Sequence, residues 1–268
     1  MLTSDDIKTA AQSLDQAERS RQQIGLLSLA YPGMALDEAY AIQRAWVGLK
    51  QAAGRRIIGH KIGLTSRAMQ QALNIATPDS GVLFDDMLFE DAGEVPTNRF
   101  IATRIEAELA FVLKRDLAGE NCTIFDVMNA TDYVVPALEI LDTRILRADP
   151  ATGKARIIVD TVADNAANAG IVIGGRPMKP DALDLRWVGA IVSKNAAVEE
   201  TGLAAGVLNN PASGIVWLLR RLAMQEGKGL KAGEIVLSGS FIRPIEARKG
   251  DTIHADYGPM GSVSCRFV

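Results

Sequence analysis

The stretch Arg104-Ile105-Glu106-Ala107-Glu108-Leu109-Ala110-Phe111-Val112-Leu113 places two glutamates, two residues apart, inside an apolar run. Because the run is short and has no break at the 3.6-residue period of a helix, it is predicted to be a strand. Alternate residues of a strand share a face, so the Cβ atoms of Glu106 and Glu108 are expected about 6.5–7 Å apart, with carboxylates free to converge. The same alternation is also typical of the wet face of a half-buried strand, so the pair alone decides nothing.

A third glutamate, Glu139, lies in the equally apolar segment Val134-Val135-Pro136-Ala137-Leu138-Glu139-Ile140-Leu141. Burying an ionised carboxylate is prohibitive unless a cation, a proton or a set of hydrogen bonds compensates it. A divalent metal would satisfy Glu106, Glu108 and Glu139 at once. The chain has two cysteines, only two histidines and no CxxC motif. An all-oxygen site of this kind suits Mg²⁺ or Mn²⁺ better than zinc.

Composition excludes several classes of function. The 268 residues are 48% hydrophobic and 23% charged, which is ordinary for a globular protein with a sizeable core. A net charge of −3 argues against a nucleic acid or an anionic membrane as partner. No apolar run approaches the roughly 20 residues of a membrane span. Asp5 and Asp6 lie where a signal peptide carries basic residues, so a cytoplasmic location is expected.

Periodicity predicts a helical start followed by strands, an α+β pattern rather than alternating βαβ units. We expect a helical N-terminal lobe over 1–75 and a β-rich domain over 76–268, although the two can also count as one domain. Predicted strands cover 57–63, 82–89, 101–113, 133–141, 156–162, 169–174, 186–194, 234–239, 252–257 and 262–268. Predicted helices cover 123–130 and 211–225, together with a short one from Ser66 to Leu73.

Several motifs together resemble one known family. They are Gly59-His60-Lys61-Ile62-Gly63-Leu64-Thr65-Ser66, Pro78-Asp79-Ser80-Gly81, Arg104-Ile105-Glu106-Ala107-Glu108-Leu109-Ala110, Val135-Pro136-Ala137-Leu138-Glu139-Ile140 and Asp164-Asn165-Ala166-Ala167-Asn168. The chain resembles, over nearly its whole length, the hydratase and decarboxylase branch of the fumarylacetoacetate hydrolase superfamily. The resemblance implies a mixed β-rich fold with a helical N-terminal part, a Mg²⁺ or Mn²⁺ site on Glu106, Glu108 and Glu139, and a homo-oligomer, pentameric or decameric.

The resemblance also implies a reaction in aromatic-compound (homoprotocatechuate) catabolism. A Mg²⁺-dependent hydratase of this branch adds water to a 2-oxo dicarboxylic acid, 2-oxo-hept-4-ene-1,7-dioate, giving 4-hydroxy-2-oxoheptane-1,7-dioate. The metal stabilises a dienolate during tautomerisation, and conjugate addition of water follows. The alternatives are 2-oxopent-4-enoate hydratase and 4-oxalocrotonate decarboxylase. An acylpyruvate C–C hydrolase or a non-catalytic partner subunit ranks lower.

Further residues are predicted to handle protons and the distal carboxylate. Lys61, with a pKa lowered by burial and by the metal, is the candidate acid/base, and Asp79 would orient it or relay its proton. A structural lysine and a turn cap are the alternatives for these two. His60, Arg104 and Arg243 are candidates for the distal carboxylate. Strand alternation places His60 and Lys61 on opposite faces, which argues against both entering one pocket, and Arg243 is preferred because a bidentate guanidinium suits a carboxylate. The 164–168 segment is expected to hold a turn near the site.

Overall fold

The computed structural model describes residues 1–67, 70–71, 75 and 77–268. Its α-helices are Ser4–Ser20 (α1), Leu27–Ala30 (α2), Leu36–Ala52 (α3), Ile124–Ala130 (α4), Ile158–Ala163 (α5) and Pro211–Glu226 (α6). Its strands are Ile57–Gly63 (β1), Asp79–Phe84 (β2), Leu88–Phe89 (β3), Gly93–Val95 (β4), Arg104–Leu113 (β5), Thr131–Leu141 (β6), Asn168–Ile173 (β7), Gly189–Lys194 (β8), Ala197–Leu203 (β9), Ile235–Leu237 (β10), Ile245–Glu246 (β11), Thr252–Asp256 (β12) and Ser262–Phe267 (β13). The helix predicted to end at Leu73 extends outside the described residues.

The strands form two sheets. The larger has the order β2-β1-β10-β5-β6-β7-β3, and β11 adds to β5. The smaller has the order β4-β13-β12-β8-β9. Most pairs are antiparallel, including the long β5–β6 ladder, while β1–β10, β3–β7 and β4–β13 are parallel. The predicted α+β class is therefore what the chain adopts.

The two faces of the larger sheet have different roles because side chains alternate along each strand. Ile105, Leu109 and Leu138 lie on the face that joins the main hydrophobic core. Ala110 and Ala137 lie on the other face with a much smaller apolar cluster. Glu106 and Glu108 share the face of Ala110, so they face away from the main core.

The helical start packs as one layer. In α1, Ala10, Leu14 and Ala17 are buried, and Thr3 caps the helix through a reciprocal hydrogen-bond pair with Asp6. Trp46 of α3 packs in one hydrophobic cluster with apolar residues of α1, α5 and β2. The predicted helical N-terminal part is confirmed. No described helix is both long enough and apolar enough to span a membrane.

Several strand assignments need correction. The predicted strand 156–162 is wrong, because Asp160 accepts a hydrogen bond from the Ile157 N–H at 2.9 Å and so caps helix α5. Asp160 also accepts from the Ser28 N–H at 2.8 Å, a tertiary contact that local periodicity does not reveal. The predicted strand 82–89 is divided by a 3₁₀ turn over Asp85–Met87. Strands β4, β9 and β11 lie outside every predicted strand.

Strand β1 lies at the end of the predicted N-terminal lobe yet pairs with β2 and β10 in the larger sheet. The lysine candidate on β1 is thereby brought into the same sheet as the glutamates. The division of the chain at residues 75 and 76 stays a prediction.

Arg144 ties the helical layer to the larger sheet. Its side chain is 2% exposed and forms an ion pair with the buried Asp164 carboxylate. Its Nη2 also donates to the Asn168 carbonyl at 3.2 Å, and its guanidinium stacks over the Trp46 ring, 5.2 Å from the centroid. One cation therefore connects α3 to the turn that begins β7.

We predict that Arg144→Met lowers the free energy of unfolding by about 3–5 kcal/mol, because it leaves the Asp164 carboxylate buried without its cation. Urea unfolding followed by circular dichroism measures the change. The matched control is Arg186→Met, which removes a 54%-exposed side chain paired with Asp184 and is expected to cost about 1 kcal/mol or less. Equal effects of the two substitutions would refute the connecting role.

Candidate metal centre and active site

The three predicted glutamates converge. Glu106 lies directly opposite Glu139 in the β5–β6 ladder, and Glu108 follows two residues along the same face. One carboxylate oxygen from each lies within 4.8 Å of the other two. Glu108 and Glu139 are fully buried, and Glu106 is partly buried. Like charges directly opposite one another are destabilising, so this arrangement needs compensation.

Neutral and positive groups hold two of the carboxylates from outside the cluster. Glu139 Oε1 accepts a 2.7 Å hydrogen bond from Asn168 Nδ2 and lies 3.2 Å from Lys61 Nζ. Glu108 Oε2 accepts from the Gly239 N–H at 2.7 Å. Glu108 Oε1 and Glu139 Oε2 are buried and have no hydrogen-bond partner among the described residues. Fixed carboxylates with buried oxygens left over are the donor set that a hard divalent cation requires, so the residues fit one.

The electrostatics of the cluster lead to the same conclusion. Burial, followed by the Glu139 carboxylate, raises the pKa of Glu106 to about 8, while Lys61 opposes the change. Burial, together with Glu139 and Glu106, places the pKa of Glu108 well above its usual range. One lysine is too little positive charge for three carboxylates. A cation bound between them would keep all three ionised.

Lys61 and Asp79 meet at the edge of this cluster. Gly63 is directly opposite Asp79 in the β1–β2 ladder, and its backbone hydrogen-bonds the Asp79 carboxylate. A Cβ at position 63 would collide with Asp79 Oδ1 and lie 3.1 Å from Lys61 Nζ. The absence of a side chain at Gly63 is therefore what lets the ammonium and the carboxylate approach. Lys61 is 2% exposed and Asp79 1% exposed.

The pKa of Lys61 differs from the sequence-based expectation. Burial lowers this pKa as expected, but the carboxylates of Glu139, Asp79 and Glu106 outweigh burial and hold it above its usual value. Burial raises the pKa of Asp79, which Lys61 partly offsets. The carboxylates by themselves thus favour a protonated Lys61, and a lower pKa depends on a cation that neutralises them.

Sequence reasoning missed the role of Asn168, which it assigned to a turn. The turn exists: Asn165, Ala166 and Ala167 all have positive φ, between 52° and 57°. Such a left-handed run is costly for residues with a Cβ. It is held by Asn165, whose side chain exchanges hydrogen bonds of 2.8 and 3.0 Å with the Val82 backbone. The turn delivers the Asn168 amide to Glu139.

The three candidates for binding the distal carboxylate, His60, Arg104 and Arg243, lie in different surroundings. The electrostatic neighbours of His60 are Arg221 and Glu226 rather than the glutamate cluster, and burial followed by Arg221 lowers the His60 pKa to about 4. Arg243 is 79% exposed and pairs with Glu200 at 2.5 Å. Arg104 lies on the face of Glu106 and interacts with it electrostatically. Of the three, the structure places only Arg104 beside the carboxylate cluster.

No family model matches the chain, so individual relatives decide its family. It is 59% identical over 258 residues to 2-oxo-hept-4-ene-1,7-dioate hydratase from Escherichia coli, covering 96% of each chain. The chain belongs to the hydratase family of that relative. Within the same hydratase and decarboxylase branch, 4-oxalocrotonate decarboxylase from Pseudomonas putida G7, solved in complex with magnesium and adipate, matches with 34% identity and a TM-score of 0.93 over 100% of this chain and 99% of that one.

A more distant structure shares the fold alone. Fumarylpyruvate hydrolase from Pseudomonas aeruginosa is 12% identical, with a TM-score of 0.58 over 80% of this chain and 89% of that one. The fumarylacetoacetate hydrolase-like fold expected from the sequence is confirmed by these matches.

We predict that Mg²⁺ binding to this family member releases protons at neutral pH. Burial raises the pKa of Glu106 to about 8 and also raises the pKa of Glu108 well above its usual range, so protons held by this pair must leave when a cation binds. The apparent affinity should therefore rise with pH between about 6 and 8. Calorimetric titration in two buffers of different ionisation enthalpy measures the release, and Glu106→Gln is expected to reduce it. Identical heats in both buffers would contradict the raised pKa values.

Proposed function

We propose that this protein hydrates 2-oxo-hept-4-ene-1,7-dioate to 4-hydroxy-2-oxoheptane-1,7-dioate with Mg²⁺ as its cofactor. The observation that carries the proposal is the buried cluster of Glu106, Glu108 and Glu139 with Lys61 and Asp79 at its edge, in a chain of this hydratase family. Three carboxylates leave coordination positions open on an octahedral cation, which suits a bidentate 2-oxo acid. Mn²⁺ would satisfy the same donors.

Glu106, Glu108 and Glu139 would hold the cation. When bound, it would polarise the 2-oxo group and offset the negative charge that develops on its oxygen. Asn168 fixes the orientation of Glu139 through the 2.7 Å hydrogen bond. The Gly239 N–H does the same for Glu108. Fixed ligands of this kind reduce the reorganisation that the reaction would otherwise require.

Lys61 is proposed to move the proton. Its protonated Nζ, held by Glu139 and by the nearby Asp79, would give a proton to C5 of the dienolate, which forms the α,β-unsaturated 2-oxo acid. The neutral amine left behind can accept a proton from water as its oxygen adds to C4. Asp79 would orient the ammonium and balance its charge. The proton that C3 loses to solvent water when the dienolate forms returns to C3 of the enolate left by the addition at C4. The proton given to C5 is recovered from the added water, so water adds across the double bond overall.

The decarboxylase is the second candidate, because loss of CO₂ from a 2-oxo-3-hexenedioate leads to the same kind of dienolate. The 34%-identical decarboxylase, which shares the fold, supports this second candidate function. The greater identity to the hydratase decides our preference. Incubating the purified protein with each substrate and Mg²⁺ separates the two: hydroxylated product without CO₂ supports the hydratase, and CO₂ release without hydrated product refutes it.

Lys61→Met is expected to lower kcat by about 10³-fold or more, since it removes the proton carrier but none of the carboxylates. Mg²⁺ affinity, measured by calorimetry, should be retained or increased because a competing cation has gone. Lys179→Met, which removes an exposed lysine paired with Asp132, is the matched control and should leave kcat unchanged. Unchanged turnover in Lys61→Met would end the assignment.

Two further predictions accompany this function. We propose a homo-oligomer, pentameric or decameric, because apolar side chains are exposed along the second sheet. These are Trp187, Ile191, Val198 and Leu203, at or beside edge strand β9. An edge of this kind is normally covered. Sedimentation velocity tests the assembly. The cytoplasmic location stays a prediction.

A further inference from the structure

Three arginines lie together beside the glutamate cluster. Carboxylates lie in their electrostatic surroundings, but none of the three forms an ion pair with a carboxylate among the described residues. Arg147 and Arg156 face each other across a short antiparallel hairpin, whose ladder pairs Ala148 with Ala155 and bonds the Arg156 N–H to the Arg147 carbonyl at 2.9 Å. Arg104 of β5 is the third, and it interacts electrostatically with both. The cluster therefore joins two separate parts of the chain.

The arrangement is unfavourable without an anion. Like charges directly opposite one another across a ladder repel. Burial, then Arg104 and Arg156, lower the pKa of Arg147 to about 10. Within the described part of the chain, the guanidinium groups of Arg104 and Arg147 form no ion pair or side-chain hydrogen bond, whereas Arg156 donates to Thr143 Oγ1 at 2.7 Å. Two planar forks are thus left available, the geometry that grips a carboxylate.

The cluster is also placed correctly along the site. Arg104, Glu106 and Glu108 occupy alternate positions on one face of β5, so Arg104 is about 6.5–7 Å beyond Glu106 at Cβ. That separation is comparable with the length of a seven-carbon chain. Arg156 interacts electrostatically with Asp79, which connects the hairpin to the proton-handling side of the site. Arg104 is thus coupled electrostatically to the glutamate side of the site and Arg156 to its proton-handling side.

We propose that Arg104, Arg147 and Arg156 form the subsite for the distal carboxylate of the substrate and set the preference for dicarboxylic over monocarboxylic 2-oxo acids. The inference rests on the proposed function for the identity of the substrate. It assigns the hairpin residues Arg147 and Arg156 a role that no sequence motif indicated. It also replaces the exposed Arg243, which Glu200 already pairs, as the main candidate.

The test is a binding comparison in the presence of Mg²⁺ with two unreactive saturated acids, 2-oxoheptanedioate and 2-oxopentanoate. Both present the same 2-oxo carboxylate, and only the first has a distal one. The wild-type protein should bind 2-oxoheptanedioate more tightly. Arg147→Gln should weaken that binding by about 10- to 100-fold, the usual loss for a charged hydrogen-bonded partner, and weaken 2-oxopentanoate far less. Arg147→Lys should give an intermediate loss, because it keeps charge without the fork.

The matched control is Arg186→Gln, an exposed arginine paired with Asp184, which should leave both affinities as in the wild type. The melting temperature of Arg147→Gln should be equal to or higher than that of the wild type, because the substitution relieves repulsion. A lower melting temperature with equal loss of both ligands would show a structural role and overturn the proposal. Unchanged binding of both ligands would overturn it as well.

Failure of the subsite and failure of the function remain distinguishable. If the wild type hydrates the dienoate but Arg147→Gln keeps full affinity for 2-oxoheptanedioate, the subsite alone is wrong. If Arg147→Gln selectively loses 2-oxoheptanedioate but the wild type hydrates nothing, the subsite stands and the hydratase assignment falls.

Discussion

Repulsion among three buried carboxylates is the constraint on which the rest of the site depends. Glu106, Glu108 and Glu139 are brought together by the register of one antiparallel ladder, and a single lysine faces them. Burial and mutual repulsion raise the pKa of Glu106 and Glu108, so the cluster stores protons that a divalent cation would displace. Binding of a metal would therefore change both the charge balance of the cluster and the protonation state of Lys61.

The surrounding fold is arranged to maintain that cluster. The face of the larger sheet that carries the glutamates has small residues such as Ala110 and Ala137, while the opposite face contributes to the main core. The left-handed turn over 165–167 has a backbone cost, and it positions the Asn168 amide on Glu139. Arg144 holds the same turn against the helical layer. A network of buried polar contacts thus connects the N-terminal helices to the glutamate cluster.

Much of this was predictable from the sequence, because strand alternation and buried charge act locally. Glu106 and Glu108 in an apolar run, with Glu139 in a second one, indicated the carboxylate cluster without knowledge of the strand pairing. The rest depends on tertiary contacts. Residues 158–163 form a helix that Asp160 caps, and Asp160 also accepts a hydrogen bond from the distant Ser28 N–H. The local sequence around Arg147 shows only a polar segment. The position of Arg147 opposite Arg156 becomes apparent only from the hairpin ladder. The structure gives the positions of the site residues. Their individual roles in the reaction stay predictions.

The central claim is that these three carboxylates bind one catalytic divalent cation with positions open to the substrate. Crystals grown with Mn²⁺ and 2-oxoheptanedioate, measured for anomalous scattering, test it most directly. We predict one anomalous peak within about 2.0–2.3 Å of an oxygen of each glutamate, with the 2-oxo acid chelating the same ion. A peak elsewhere, no peak, or an ion fully enclosed by protein oxygens with no ligand attached would contradict the account.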